Sequence, residues 1–161
     1  MKKRLVILPI MLAVSVGIGI LAGCTAGNGE ATEELTAVEV GEYIGQAVSL
    51  DDMKQGDLER LQRLYHIEEG IVEDFVLFTA ASNVQADELT IIKFKDRNDA
   101  DSVLASIERR IEAQSAKFQD YRPEEYYLIE KHVLKTKGRL ILFAVSEEAD
   151  RMAEAFDEAL K

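Results

Sequence analysis

The chain has 161 residues and a mass of 18.0 kDa, room for one domain of ordinary size. Hydrophobic residues at 47% and charged residues at 30% exclude global disorder, and two Pro with ten Gly exclude a fibrous chain. One Cys excludes an intramolecular disulfide and a Cys-based zinc cluster; a formal charge of −11 without Trp argues against a nucleic-acid partner, which needs a basic footprint.

The N-terminus opens on Lys2-Lys3-Arg4 and continues as an apolar run from Leu5 to Leu21, broken by Pro9, Ser15, Gly17 and Gly19. A basic start, an apolar middle and a small-residue end are the three parts of a secretory signal. The closing Leu21, Ala22, Gly23 and Cys24 resemble the lipobox of bacterial lipoproteins. The resemblance implies diacylglyceryl transfer to the Cys24 thiol and cleavage before Cys24. The alternative is an uncleaved membrane helix, because the run reaches the minimum spanning length. Both readings anchor the chain in the cell membrane and place the rest on its extracytoplasmic face. A sole thiol consumed as a thioether leaves no unpaired cysteine in an oxidising compartment. Two acyl chains on one residue meet the two-signal requirement for stable attachment.

Cleavage leaves Cys24 to Lys161 and removes three cations, taking the formal charge from −11 to −14. Such a surface is repelled by anionic head groups, so the domain hangs from its lipid rather than lying on the bilayer. Residues 24–36 hold Gly27, Asn28 and Gly29 among small and acidic residues. They read as a flexible tether with a reach of about 20 Å. Residues 37–161 form a single domain.

Within it, Tyr43, Ile44, Ala47 and Val48 have helical spacing, weakened by Gly41 and Gly45. A polar connection from Asp51 to Gly56 follows. Asp57 caps a short helix, Leu58 to Tyr65, with Leu58, Leu61 and Leu64 on one face. Ile71 to Ala80 reads as a strand, with Phe75 and Leu77 on one side and Val76 and Phe78 on the other. Glu88 to Lys95 reads as its partner, with Leu89 and Ile91 alternating against Ile92 and Phe94. Asp96 to Asp101 starts the clearest amphipathic helix, whose stripe is Ala100, Val103, Leu104, Ile107, Ile111 and Phe118. Tyr126 to Lys135 and Arg139 to Val145 read as two more strands around Gly138. Ser146 caps a last helix from Glu147 to Leu160. The expected fold is α+β: a two-layer sandwich with a four-stranded antiparallel sheet in ββα-ββα order, preceded by two N-terminal helices.

The layout resembles domain-of-unknown-function family 4358, found in lipoproteins of Gram-positive bacteria. The residues that carry it are the lipobox ending at Cys24, the Leu64-Tyr65 pair, the strand end from Phe78 to Ser82, and Glu88 leading into Ile91 to Lys95. Gln114, Phe118, Tyr121 and Pro123 at the close of the long helix, Gly138 and Phe156 complete it. The resemblance covers about residues 37 to 160. It implies an extracytoplasmic lipoprotein domain and carries no activity or site residue.

A search for chemistry yields little. His66 and His132 have no nearby Cys or His, whereas zinc needs three or four ligands. The glycine of a calcium loop starting at Asp51 falls correctly at Gly56, but Met53 and Gln55 occupy ligand offsets. No metal or cofactor is expected. Lys135-Thr136-Lys137-Gly138 lacks the Ser-x-x-Lys that a penicillin-binding protein needs, and no Gly-x-Ser-x-Gly or phosphate-binding loop occurs. Arg109-Arg110 reads as a solvated face beside Glu108 and Glu112. Tyr126 and Tyr127, in a strand, point to opposite sides and form no stacking platform.

One local feature stands out: Lys131, His132, Lys135, Lys137 and Arg139 cluster around the second hairpin of an acidic protein. Lys131, Lys135, Lys137 and Arg139 form a candidate binding patch for an envelope protein or anionic polymer. Lysines on an edge strand also discourage edge pairing without any ligand. The expected function is a membrane-tethered, non-catalytic binding domain. The alternatives are an envelope hydrolase using acidic residues and a small-ligand capture lipoprotein.

Overall fold

A computed structural model describes residues 35–161. Leu21, Ala22, Gly23, Cys24 and the tether up to residue 34 lie outside the described residues.

The first helix, α1 (Ala37–Ala47), starts on a capping box. Thr36 Oγ1 accepts from the Glu39 N–H at 3.1 Å, and the Glu39 carboxylate accepts from the Thr36 N–H at 2.8 Å. Asp74 adds a tertiary cap, accepting from the Ala37 N–H at 2.5 Å. Val40 and Ile44 face inward, and Gly41 is buried with them. A Cβ at Gly41 would lie 2.9 Å from Val76 Cγ2, so the glycine lets the helix approach the sheet closely.

The chain then forms β1 (Met53–Gln55), α2 (Leu58–Tyr65), β2 (Val72–Ala80) and β3 (Glu88–Phe94). It continues as α3 (Ala100–Phe118), α4 (Pro123–Glu130), β4 (Val133–Lys137), β5 (Leu140–Val145) and α5 (Ala149–Ala159). Asp57 caps α2 by accepting from the Arg60 N–H at 2.9 Å. The sheet runs β1-β2-β3-β5-β4, and all its pairings are antiparallel. Gly138, at φ 62°, opens the two-residue turn between β4 and β5, a conformation that glycine adopts without steric cost.

The alternation predicted in the central strands holds. Val76, Leu89, Ile91, Leu140, Leu142 and Ala144 face α1 and α5, where they meet Val40, Ile44, Met152 and Phe156. Leu77, Ile92, Phe94, Ile141, Phe143 and Val145 face α2, α3 and α4, where they meet Leu61, Tyr65, Ile107, Phe118 and Ile129. The two clusters make three layers, with the sheet between two sets of helices.

Three expectations are corrected here. The sheet has five strands, because part of the connection after α1 pairs with the far end of β2, Met53 opposite Ala80. The sandwich has three layers rather than two, because α1 and α5 cover a different face from α2, α3 and α4. The segment beginning at Tyr126 is helical up to Glu130, so an extra helix stands between the two ββα units and the first strand of the second unit starts only at Val133. Pro123 sits in the first turn of α4, where a missing N–H costs nothing, and begins a helix instead of only ending one. In α4, Tyr126 packs against the inner cluster and Tyr127 is exposed.

Candidate functional site

The pleat that points Ile92 and Phe94 at α3 also points Thr90 and Glu88 there. Glu88 is therefore a carboxylate at 0% exposure, and its lone pairs need donors. They come from two helices. Tyr65, the last residue of α2, donates its hydroxyl to Glu88 Oε1 at 2.5 Å and also shares a bond of 2.6 Å with Thr90 Oγ1. Arg110 of α3 forks onto the carboxylate, Nε at 3.1 Å from both oxygens and Nη2 at 2.6 Å from Oε2. Gln114, one turn further, donates from Nε2 at 3.3 Å. Burial, and then the negative charge of Glu88, push the Tyr65 hydroxyl well above its usual range, so it remains a donor. At Arg110, burial opposes the charge, but the Glu88 carboxylate outweighs it and raises the guanidinium further.

This hub forms one wall of a cleft of about 380 Å³ at the β2–β3 turn. Lys54 of β1, Arg60 of α2, and Arg110 and Lys117 of α3 line it, with Asp87 and Glu88 as the only carboxylates. Thr79 and Ser82 contribute hydroxyls, and Asn83 and Gln85 amides. Arg60 Nη2 donates to Thr79 Oγ1 at 2.8 Å, and Arg60 Nε is buried without an acceptor among the described residues. Gly56 makes room for that arginine, since a Cβ there would lie 2.9 Å from Arg60 Cδ and 2.6 Å from Leu77 Cδ2. Lys117 Nζ sits 4.4 Å from the Phe118 ring centroid; partial burial, then the neighbouring Arg110 charge, lower its pKa. Among the described residues, Lys54, Arg60 and Lys117 form no ion pair.

None of the hairpin cations lines this cleft. Lys135 pairs with Asp157 of α5. Arg139 pairs with Glu73 and donates to the carbonyls of Phe94 and Lys95, each at 3.1 Å. Lys131 Nζ lies 5.8 Å from the Tyr127 ring centroid. Lys137 lies on β4, an edge of the sheet. His132 Nδ1 is 2.7 Å from the Ile129 carbonyl, and its ring is tilted against Phe143. His66 is the left-handed C-cap of α2, at φ 52° and ψ 37°. Among the described residues no three His, Cys, Asp or Glu side chains are grouped to hold a metal ion.

Sequence reasoning missed the hub and the cleft. Arg110 is not on a solvated face: it and Gln114 extend the buried stripe of Ile107 and Phe118, at helical spacing. Arg109 beside it is exposed and donates to Ser106 Oγ at 2.9 Å. The signal was present in the period: Glu88 shares its strand face with Ile92, and Arg110 shares its helix face with Ile107. What periodicity lacks is the pairing of these two faces.

A family described as "Domain of unknown function (DUF4358)" matches residues 46–146. No curated protein and no solved structure matches the chain. The matched span contains all five strands and α2, α3 and α4; it takes in only the last two residues of α1 and stops before α5.

Proposed function

The chain belongs to the DUF4358 family, and from that membership we propose that it is a lipid-anchored extracytoplasmic domain that binds a ligand without transforming it. The observation that carries the reading is the state of Glu88. A general acid or base must reach a substrate proton, and this carboxylate is spent on Tyr65, Arg110 and Gln114 inside the protein. That part of the cleft wall is closed by internal hydrogen bonds, and Lys54, Arg60 and Lys117 line the same cleft as cations without an ion pair among the described residues. The run Leu21-Ala22-Gly23-Cys24 supports the anchor on Cys24. Anchoring raises the local concentration of the domain at the membrane without asking the acidic surface to touch it.

Proximity labelling in living cells, comparing the native chain with Cys24→Ala, tests the reading. Neighbours in the envelope that disappear in the variant support it. Labelling of cytosolic proteins alone by the native chain, or a purified product that keeps Met1 and carries no lipid mass, rejects it.

A hydrolase reading has one observation in its favour. Asp87 borders a second cleft with Asp52, Glu125 and Glu147, and burial, then these neighbouring charges, raise its carboxyl pKa. Turnover of an envelope glycan that Asp87→Asn abolishes would establish that reading instead.

A further inference from the structure

We propose that the cleft at the β2–β3 turn binds a phosphate group, held by Lys54, Arg60 and Lys117. The inference rests on the domain being a binding module and names the chemistry of what it takes. Its starting point is an imbalance of charge. The protein as a whole has a formal charge of −11, yet this cleft sets four cations against two carboxylates. Glu88 and Arg110 neutralise each other inside the wall. Lys54, Arg60 and Lys117 then face Asp87 alone, a surplus of two positive charges that matches a dianion.

The donor geometry favours phosphate over a single carboxylate. A carboxylate is best met by one free guanidinium fork. Here Arg60 has Nη2 tied to Thr79 and Nε buried, which leaves it no free fork, while the lysines act as movable point charges. Such a set converges on a multiply charged oxyanion from several directions. Ser82, Asn83 and Gln85 add neutral donors at the rim. A volume of about 380 Å³ suits a small molecule or a single head group. Arg60 is positioned in advance, since α2 begins at its Asp57 cap and Gly56 leaves the space its stem occupies.

The test is isothermal titration of inorganic phosphate into the full chain in detergent micelles, with potassium chloride at matched ionic strength as the comparison. The expected result is saturable phosphate binding that chloride does not reproduce. Lys54→Gln combined with Lys117→Gln, both at exposed positions, should weaken it by about tenfold or more through lost charge-assisted bonds. Asp87→Asn should tighten it, and Lys135→Gln, outside the cleft, should leave it unchanged. Circular dichroism confirms that each variant is folded; if the double variant is not, Lys54→Gln alone makes the comparison. Glycerol 3-phosphate and phosphatidic acid vesicles, both phosphate monoesters, distinguish a soluble phosphate ester from a lipid head group, and binding of either supports the site. Absence of saturable phosphate binding, or equal binding by the lysine variants, overturns it. That failure alongside anchor-dependent neighbours in the labelling experiment would leave the tethered-module reading standing and remove only the phosphate.

Discussion

Glu88 shows what one residue demands of its surroundings. A buried carboxylate survives only with its lone pairs occupied, and Tyr65, Arg110 and Gln114 supply the donors from two helices. Glu88→Gln should therefore cost about 3 kcal/mol, because Arg110 is left with its charge nearly buried and uncompensated. Tyr65→Phe should cost less, about 1 kcal/mol, since Arg110 and Gln114 still hold the carboxylate. Urea denaturation measures both, and a ranking in the opposite order would show that the hub is organised around the phenol. At His66 the backbone is left-handed, where a Cβ is penalised and glycine is not. His66→Gly should raise the denaturation midpoint, by about 1 kcal/mol of stability. Asp87 carries a pH signature. Its folded pKa is raised above the ordinary 3.8, by burial first and then by Glu125, Glu147 and Asp52. The native state therefore holds this proton more tightly than the unfolded chain does. The cost is absent below 3.8 and complete above the raised value. Asp87→Asn should be more stable than the native chain at neutral pH, and the gain should vanish on acidification, as followed by thermal unfolding against pH.

At the scale of elements, two glycines in α1 make opposite predictions. Gly41→Ala adds a methyl 2.9 Å from the stiff, β-branched Val76, and overpacking of about 1–3 kcal/mol exceeds the gain in helix propensity. Gly45→Ala meets nothing nearer than Leu50 Cδ1 at 3.8 Å, so propensity alone acts, about 0.5–1 kcal/mol in favour of the fold. Differential scanning calorimetry of the two variants should show shifts of opposite sign. Sequence periodicity treats both glycines as weak points, and only the sheet beneath separates them. The same contrast runs through the whole secondary structure. The α3 stripe and the β2 and β3 alternation were legible, because each has one apolar face long enough to display its period. β1 was not, because three residues pair through backbone alone and offer no pattern. α4 was misread as a strand because its eight residues are too few to separate a helical period from β-type residues such as Tyr126, Tyr127 and Ile129.

For the molecule as a whole, the family match ends where one layer ends. Residues 46–146 hold the complete sheet and one set of helices, while almost all of α1 and the whole of α5 lie beyond them. Those two helices cover Val76, Leu89, Ile91, Leu140 and Leu142, and Arg151 Nη2 ties them together through the Ala47 carbonyl at 2.7 Å. A chain cut to residues 48–146 should therefore expose a continuous apolar sheet face and fail to hold a native fold. Size-exclusion chromatography and near-ultraviolet circular dichroism would show association and lost tertiary packing; a monomeric, cooperatively melting fragment would mean that the α1–α5 layer is dispensable.

The amino-acid sequence by itself determined the class of the fold, the faces of its central strands and the stripe of its longest helix. These are local periodicities, written along a few consecutive residues. The tertiary structure alone decided that helices occupy both faces of the sheet, that Arg110 meets Glu88 across 22 positions of chain, and that Lys54, Arg60 and Lys117 surround one cleft. Such pairings arise from how elements stack, and stacking depends on which apolar faces are available to meet, a property of the assembled set that no single segment contains.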